Sequence, residues 1–230
     1  MSLNELDEGL WTLDGPRVRM LGIPFTTRMT IIRLTDGGLW LHSPVAASSR
    51  QMAKVEALGP IRHLVAPNKF HHLFLADWMA RYPYATSWAG PQLRERVQIQ
   101  FDHDLADTAE PCWAADLDQL LFGGSEVLPE AVFYHRRSRT LILTDIFQNH
   151  EPHADRWLWR TIKRLNGISA PDGGVPKDWQ RTVSDRAAAR AARDRMLAWG
   201  FDRLVITHGR CIEHGARAQV ERAFAWLDGP

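Results

Sequence analysis

The chain has 230 residues, 45% of them apolar and 24% charged, which suits one sizeable globular core and excludes a largely disordered chain. Its 28 Lys and Arg against 27 Asp and Glu leave a net charge of +1, so no global field is expected to hold nucleic acid or an anionic membrane. Two cysteines, Cys112 and Cys211, exclude a disulfide-dense secreted scaffold.

The N-terminus MSLNELDEGL is acidic and lacks a signal-peptide apolar core. No stretch approaches the roughly 18 apolar residues of a bilayer span. The expected setting is a reducing cytoplasm, with a small-molecule substrate or ligand as partner and neither nucleic acid nor membrane. Nothing in the sequence reports on oligomeric state.

The N-terminal part reads as strands. Met29–Leu34 is a β-branched run, and the turn Asp36-Gly37-Gly38 leads into Leu39–His42, a hairpin signal that Ser43-Pro44 ends. Ser48 to Leu58 has helical composition and stops at Gly59-Pro60. Ile61–Ala66 is a short apolar strand closed by Pro67-Asn68, and a helix is expected from about His71 to Arg81. Ala85–Trp88 reads as a strand, Pro91–Arg96 as a short helix with Pro in its first turn, and Leu117–Phe122 as a strand. Ala131–His135 and Thr140–Thr144 are strands around the basic turn Arg136–Arg139, with Asp145 where the second one ends. Asp155–Leu165 reads as a helix and 168–177 as a Gly- and Pro-bearing loop. Ser184–Trp199 is predicted helical, with Ser184 as N-cap and Gly200 past its end. Leu204–Ile206 is a buried strand running into Thr207-His208-Gly209, and Gly215–Leu227 is the last helix. This order predicts an α/β (α+β) chain of two mixed sheets packed together with helices outside. Residues 1–230 are expected to form one domain, with residues near 30–145 and 140–227 supplying its two halves.

Three places share one property. His71-His72 follows the strand ending at Ala66, Asp145 ends the strand from Thr140, and His208 ends the strand from Leu204. Ligands collect at the carboxyl ends of strands in layered α/β folds. Imidazole and carboxylate suit Zn²⁺ or Fe²⁺, so three histidines and one aspartate make a complete four-ligand shell. Singly, each has an ordinary reading as a turn or a core residue; their joint placement argues for a site. His150 and His153, just after the strand carrying Asp145, are candidates for the pocket, with plain loop positions as the alternative. His63 and His135 read as core or surface residues. Cys211 reads as a small buried thiol, or as pocket lining. The arginines Arg186, Arg190, Arg193 and Arg195 alternate with Asp185 and Asp194 and read as a solvated helix face. Trp78, Trp157, Trp159 and Trp199 are expected to pack helices onto the sheets. There is no phosphate-cradling glycine loop and no Gly-x-Ser-x-Gly elbow.

The order of these features resembles the metallo-β-lactamase fold superfamily, a four-layer αββα sandwich with metals at one edge of two sheets. LVAPNKFHHLFLADW (Leu64–Trp78) is similar to its strand followed by His-x-His-x-Asp-His. AVFYHRRSRTLILTDIF (Ala131–Phe147) is similar to its hairpin ending in the metal-bridging Asp, and LVITHGR (Leu204–Arg210) to its terminal strand and last His ligand. The chain also looks like a small uncharacterised branch with Asn-x-x-His-His in place of the ligand-rich motif. Laid on that motif, Pro67 and Lys69 stand at the first two histidines, His71 at the Asp and His72 at the last His, while the separate middle His falls near Glu126. The resemblance therefore implies that one metal site has lost its three histidines. The other keeps His71, His72, Asp145 and His208, with His71 the weakest member. At most one Zn or Fe ion is implied, and none is the alternative.

Lys69 then has two readings. Its ammonium either takes the place of the missing ion and neutralises Asp145 or Glu126, with Asn68 beside it, or points into solvent from a loop. Two functions follow: a metal-dependent hydrolase-like protein, or a non-catalytic descendant that binds a small molecule or partner without metal.

Overall fold

The computed structural model describes residues 3–229. The strands are β1 (Leu3–Asp7), β2 (Leu10–Asp14), β3 (Val18–Met20), β4 (Ile23–Phe25), β5 (Arg28–Arg33), β6 (Leu39–His42), β7 (Ile61–Ala66), β8 (Thr86–Ala89), β9 (His103–Asp104), β10 (Leu117–Phe122), β11 (Glu130–His135), β12 (Thr140–Leu143) and β13 (Arg203–Ile206). The helices are α1 (Ser49–Glu56), α2 (Leu75–Arg81), α3 (Leu93–Arg96), α4 (Trp157–Leu165), α5 (Lys177–Gln180), α6 (Arg186–Ala198) and α7 (Ala216–Phe224). One sheet runs β1-β2-β5-β6-β7-β8-β9, antiparallel as far as β6 and parallel beyond it. The other runs β10-β11-β12-β13, antiparallel except for the parallel pair β12–β13. β3 and β4 form a separate hairpin.

The alternation of side chains along each strand builds the layers. In β6, Leu39 and Leu41 face Val55 of α1, Trp78 of α2 and Leu93 of α3. Trp40 between them turns the other way and meets Trp88, Trp113 and Phe133 between the two sheets. Across the gap, Phe133 and Ile142 face inward, while Val132, Leu141 and Leu143 pack under Met196 of α6 and Val220 and Phe224 of α7. The result is the expected αββα arrangement of two mixed sheets. Truncating a fully buried aromatic such as Phe133 to Ala would cost about 3–5 kcal/mol.

Several expectations need correction. The sheets divide between β9 and β10, near residues 104–117, not near 140, because β10 and β11 pair with β12 in the second sheet, and the first sheet begins earlier than residue 30, with β1 and β2. The helix expected from His71 begins at Leu75, since the residues before it are held in turns by contacts described below. α6 is capped by Asp185, whose side chain accepts from the Ala188 N–H, so Ser184 is not the cap. Three of the four arginines of α6 are not left in solvent: Arg186 and Arg190 donate to the carbonyls of Trp226 and Leu227 and Arg193 to Asp228, while Arg195 is exposed, paired with Asp107 at the surface. Trp157 is exposed rather than packed. Among the described residues, no helix is long and apolar enough to cross a membrane.

Candidate metal centre

β7, β12 and β13 end at one edge, where the Pro67 carbonyl accepts the Ala131 N–H at 2.9 Å and ties the sheets together. Asp145 lies at this edge, buried. Its Oδ1 is 3.1 Å from Nε2 of His208 and its Oδ2 is 3.2 Å from Nε2 of His71. Oδ2 also accepts the Asn68 Nδ2–H at 2.8 Å. His71, Asp145 and His208 each offer a ligand atom, and these atoms lie within 4.8 Å of one another.

The far side of each ring decides what the near side can do. Nδ1 of His208 is 2.6 Å from the Thr26 carbonyl, which only accepts, so Nδ1 carries the proton. Nε2 then faces a carboxylate oxygen with a lone pair, unless a second proton or a cation lies between them. Nδ1 of His71 is 2.7 Å from the Ser43 hydroxyl. Ser43 sits at φ 54°, a left-handed backbone that few non-glycine residues adopt, and this turn past β6 aims its hydroxyl at the ring. Gly209 holds the other wall: at φ +103° its absent Cβ would lie 2.1 Å from the Asn149 carbonyl oxygen. That close approach lets the Asn149 N–H reach the His208 carbonyl and the Arg210 N–H reach Asn149.

Behind Asp145 stands a second, fully buried carboxylate, Glu130. It accepts the N–H groups of Thr144 and Asp145, both at 2.7 Å, and so shapes the turn that presents Asp145. Asn68 bridges the two acids: Nδ2 lies 3.2 Å from Glu130 Oε2, and Oδ1 accepts the Phe70 N–H. Burial opposes charge on Asp145, but His71 and His208 outweigh it and hold its carboxyl well below the usual carboxylate range. Burial, then the charge of Asp145, pushes Glu130 upward, so Glu130 is the acid that takes a proton first. Burial also opposes a proton on His71, yet Asp145 and Glu130 together raise its pKa above 6.5.

His72 is not among the three converging residues; His71 occupies the place and His72 lines the cleft beside it, its Nδ1 buried without a partner. Lys69 is not near Asp145: its ammonium donates to Gln92 at 3.0 Å and lies over the Phe70 ring. The positive charge that Asp145 meets comes instead from imidazoles. Glu126 is exposed and contributes only its carbonyl, to Gln92. His150 is buried behind the site, its ring parallel to that of His208 at 6.4 Å. Burial and then the Lys163 charge push its pKa to about 2, so it stays neutral, donating to Gln148 and accepting from Lys163 at Nδ1. His153 is exposed beside Glu151. Cys211 is half-buried, 3.2 Å from the Arg28 guanidinium. Ser43, Thr26 and Glu130 were not singled out from sequence. For Glu130 a signal exists, an acid opening the apolar strand EAVFYH; the other two act across more than 25 residues and leave no local trace.

The three residues sit at the base of a cleft of about 240 Å³, walled by Phe25, Val45, Phe70 and Phe74 and rimmed by Arg19 and Arg96. Two imidazole Nε2 atoms and a carboxylate match the ligands zinc and ferrous iron take. A backbone carbonyl on the outer nitrogen of His208 is the usual companion of a metal-bound imidazole. The residues present therefore fit a single divalent ion.

Residues 7–154 match the family described as a domain of unknown function, DUF4336. No curated protein matches the chain by sequence. Among solved structures, the metallo-β-lactamase from Pontibacter korlensis aligns with a TM-score of 0.65 and 11% identity, over 100% of this chain and 99% of that one. A metallo-β-lactamase from Hirschia baltica gives 0.63 and 16%, over 100% and 98%. The metallo-β-lactamase FIM-1 from Pseudomonas aeruginosa, in a mono-zinc form, gives 0.62 and 13%, over 100% and 96%. These likenesses show a metallo-β-lactamase-like fold.

Proposed function

The chain belongs to the DUF4336 family, and from the geometry of its cleft we propose a metal-dependent hydrolase in which His71, Asp145 and His208 hold one zinc or iron ion. The observation that carries this reading is the committed Nδ1 of His208, which leaves Nε2 turned toward Asp145 beside the Nε2 of His71. A single-ion centre is supported by the mono-zinc form of a protein of like fold. A bound ion would lower the pKa of a water and polarise a substrate oxygen.

The chain's own groups do the rest. Asn68 steadies Oδ2 of Asp145, while Ser43 and Thr26 aim the two rings. Three protein ligands leave an open position, which a catalytic site requires. His72 lines the cleft, and burial first keeps its pKa below 6.5, so its imidazole is neutral there and can accept a proton. Apolar walls exclude water and take the body of a small-molecule substrate.

Metal content tests the reading, on protein purified without an affinity tag and then reconstituted with zinc. One equivalent of zinc or iron is expected, and it should be lost in Asp145→Asn and in His208→Ala. One observation favours a second reading: Asp145 already has partners on both oxygens, with His208 at 3.1 Å, His71 at 3.2 Å and Asn68 at 2.8 Å. Wild-type protein that stays metal-free after reconstitution would establish that non-catalytic form.

A further inference from the structure

The net charge of +1 conceals a segregated surface. Between residues 16 and 35 there is no Asp or Glu, and there are four arginines: Arg17, Arg19, Arg28 and Arg33. Between 156 and 171 there is again no acid, and there are Arg156, Arg160, Lys163 and Arg164. The fold lays the hairpin part of the first segment against the second, while Arg28 and Arg33 lie in β5, Arg28 paired with Asp14 and Arg33 over the Trp11 ring. Lys163 of α4 donates to the Pro24 carbonyl at 2.7 Å, Arg17 donates to the Ala154 carbonyl at 2.8 Å, and a Cβ on Gly22 would meet the Trp159 ring at 3.9 Å. The β3–β4 hairpin thus lies against the inner side of α4, and the two elements make adjoining surfaces. Among the described residues, Arg19, Arg156, Arg160 and Arg164 make no ion pair, while the buried Lys163 is neutralised by Asp155 at 2.8 Å.

The same surfaces carry large apolar side chains in water. Leu21 at the hairpin tip is 95% exposed, Trp157 68%, Leu165 70%, Leu158 44% and Met20 43%. Trp157, Leu158 and Leu165 fall on the exposed side of α4, with Arg160 and Arg164 flanking them, while Lys163 points inward. Leu21 is the clearest case. Leu21 and Gly22 are the two central residues of a tight hairpin turn, at φ 50° and 82°. Asn or Gly is the residue such a turn prefers, and a bulky apolar one is strained there. A leucine that costs backbone strain and buries nothing within the chain is available to an apolar partner.

We propose that these adjoining surfaces dock on membranes bearing anionic phospholipid. The Leu and Trp side chains enter the interface, where tryptophan settles by preference, and the unpaired arginines meet the phosphates. Charge complementarity selects an anionic surface, and the exposed aliphatic side chains favour lipid over nucleic acid, which offers stacking partners and phosphates but no hydrocarbon. Arg19 and Met20 also line the cleft, so docking brings its mouth to the lipid interface. The metal ligands play no part, and binding should be the same with and without metal.

Vesicle co-sedimentation of the full chain tests the proposal, comparing phosphatidylcholine alone with phosphatidylcholine mixed with phosphatidylglycerol. Binding should be at least about tenfold tighter to the anionic vesicles and should weaken with salt. The double variants Arg160→Glu/Arg164→Glu and Leu21→Ser/Trp157→Ser should each weaken it by about tenfold or more, with melting temperatures unchanged because these side chains are exposed. Absence of binding to both vesicles would overturn the proposal, as would binding that neither double variant weakens. It would also be overturned by a stable dimer that Leu21→Ser/Trp157→Ser converts to monomer, or by tighter binding to a DNA duplex than to anionic vesicles.

Discussion

The two sides of Asp145 are built on different chemistry. On one side, two imidazoles present Nε2, each ring fixed from behind by Ser43 or by the Thr26 carbonyl. On the other, an amide and a second carboxylate, Asn68 and Glu130, spend their capacity on backbone N–H groups, on each other, on the Thr144 hydroxyl and on Asp145 itself. The first side can exchange a proton for a cation. The second has no free lone pair aimed into the cleft and serves as a brace. A carboxylate can belong to an ion site only because a rigid, fully hydrogen-bonded turn holds it there.

Breaking the brace should have the largest effect. Glu130→Ala leaves the N–H groups of Thr144 and Asp145 buried without acceptors and opens a cavity, and we expect a loss on the order of 3–5 kcal/mol in denaturant unfolding. Breaking the ion side should spare the fold and abolish the metal. Asp145→Asn should weaken zinc binding by about a hundredfold or more in calorimetry, with a smaller change in stability. If Asp145→Asn unfolds the protein while Glu130→Ala is tolerated, the comparison is inverted and wrong.

Acid should sharpen the same contrast. The pKa of His71 is raised, so in the metal-free fold its proton persists to higher pH than usual and must leave before a cation enters. Zinc affinity should therefore fall as pH drops through neutrality, by up to about tenfold per pH unit for each proton released. An affinity flat between mildly alkaline and mildly acidic buffer would show that no proton competes.

His42 lies beside the site, and burial holds its pKa well below 6.5. Both its ring nitrogens are buried without partners, and it stacks on Trp40. The unfolded chain takes its proton first, so this residue's contribution to stability is lost as pH falls below about 6.5. His42→Phe should keep the ring packing, remove two orphaned atoms, raise stability by about 1 kcal/mol and soften the acid loss. The smallest effect belongs to Lys69. Its ammonium pairs with Gln92 and not with the carboxylates, so Lys69→Met should shift stability by no more than about 0.5 kcal/mol in thermal melts. A large loss there would revive the idea that a lysine stands in for an ion.

Much of this was written in local pattern. Apolar runs such as Leu39–His42, the helical composition from Ser48 and the Gly200 stop set most elements within a few residues. Because strand ends gather at one edge, Asp145 and His208 could be placed together from sequence alone. The choice between His71 and His72 could not be. They are neighbours in a turn, and which ring enters the site depends on Ser43, 28 residues earlier, and on Asp145 across the second sheet. Asn68 and Glu130 are likewise paired across 62 residues, and neither has meaning until the sheets stack. The basic, apolar surface was equally hidden, since two acid-free segments far apart in the chain adjoin only when the hairpin lies on α4. Hydrophobic period and strand ends are local quantities and survive in the sequence. The direction of a side chain in a turn, and its partner, are set by non-local contacts, and only the tertiary structure decides them.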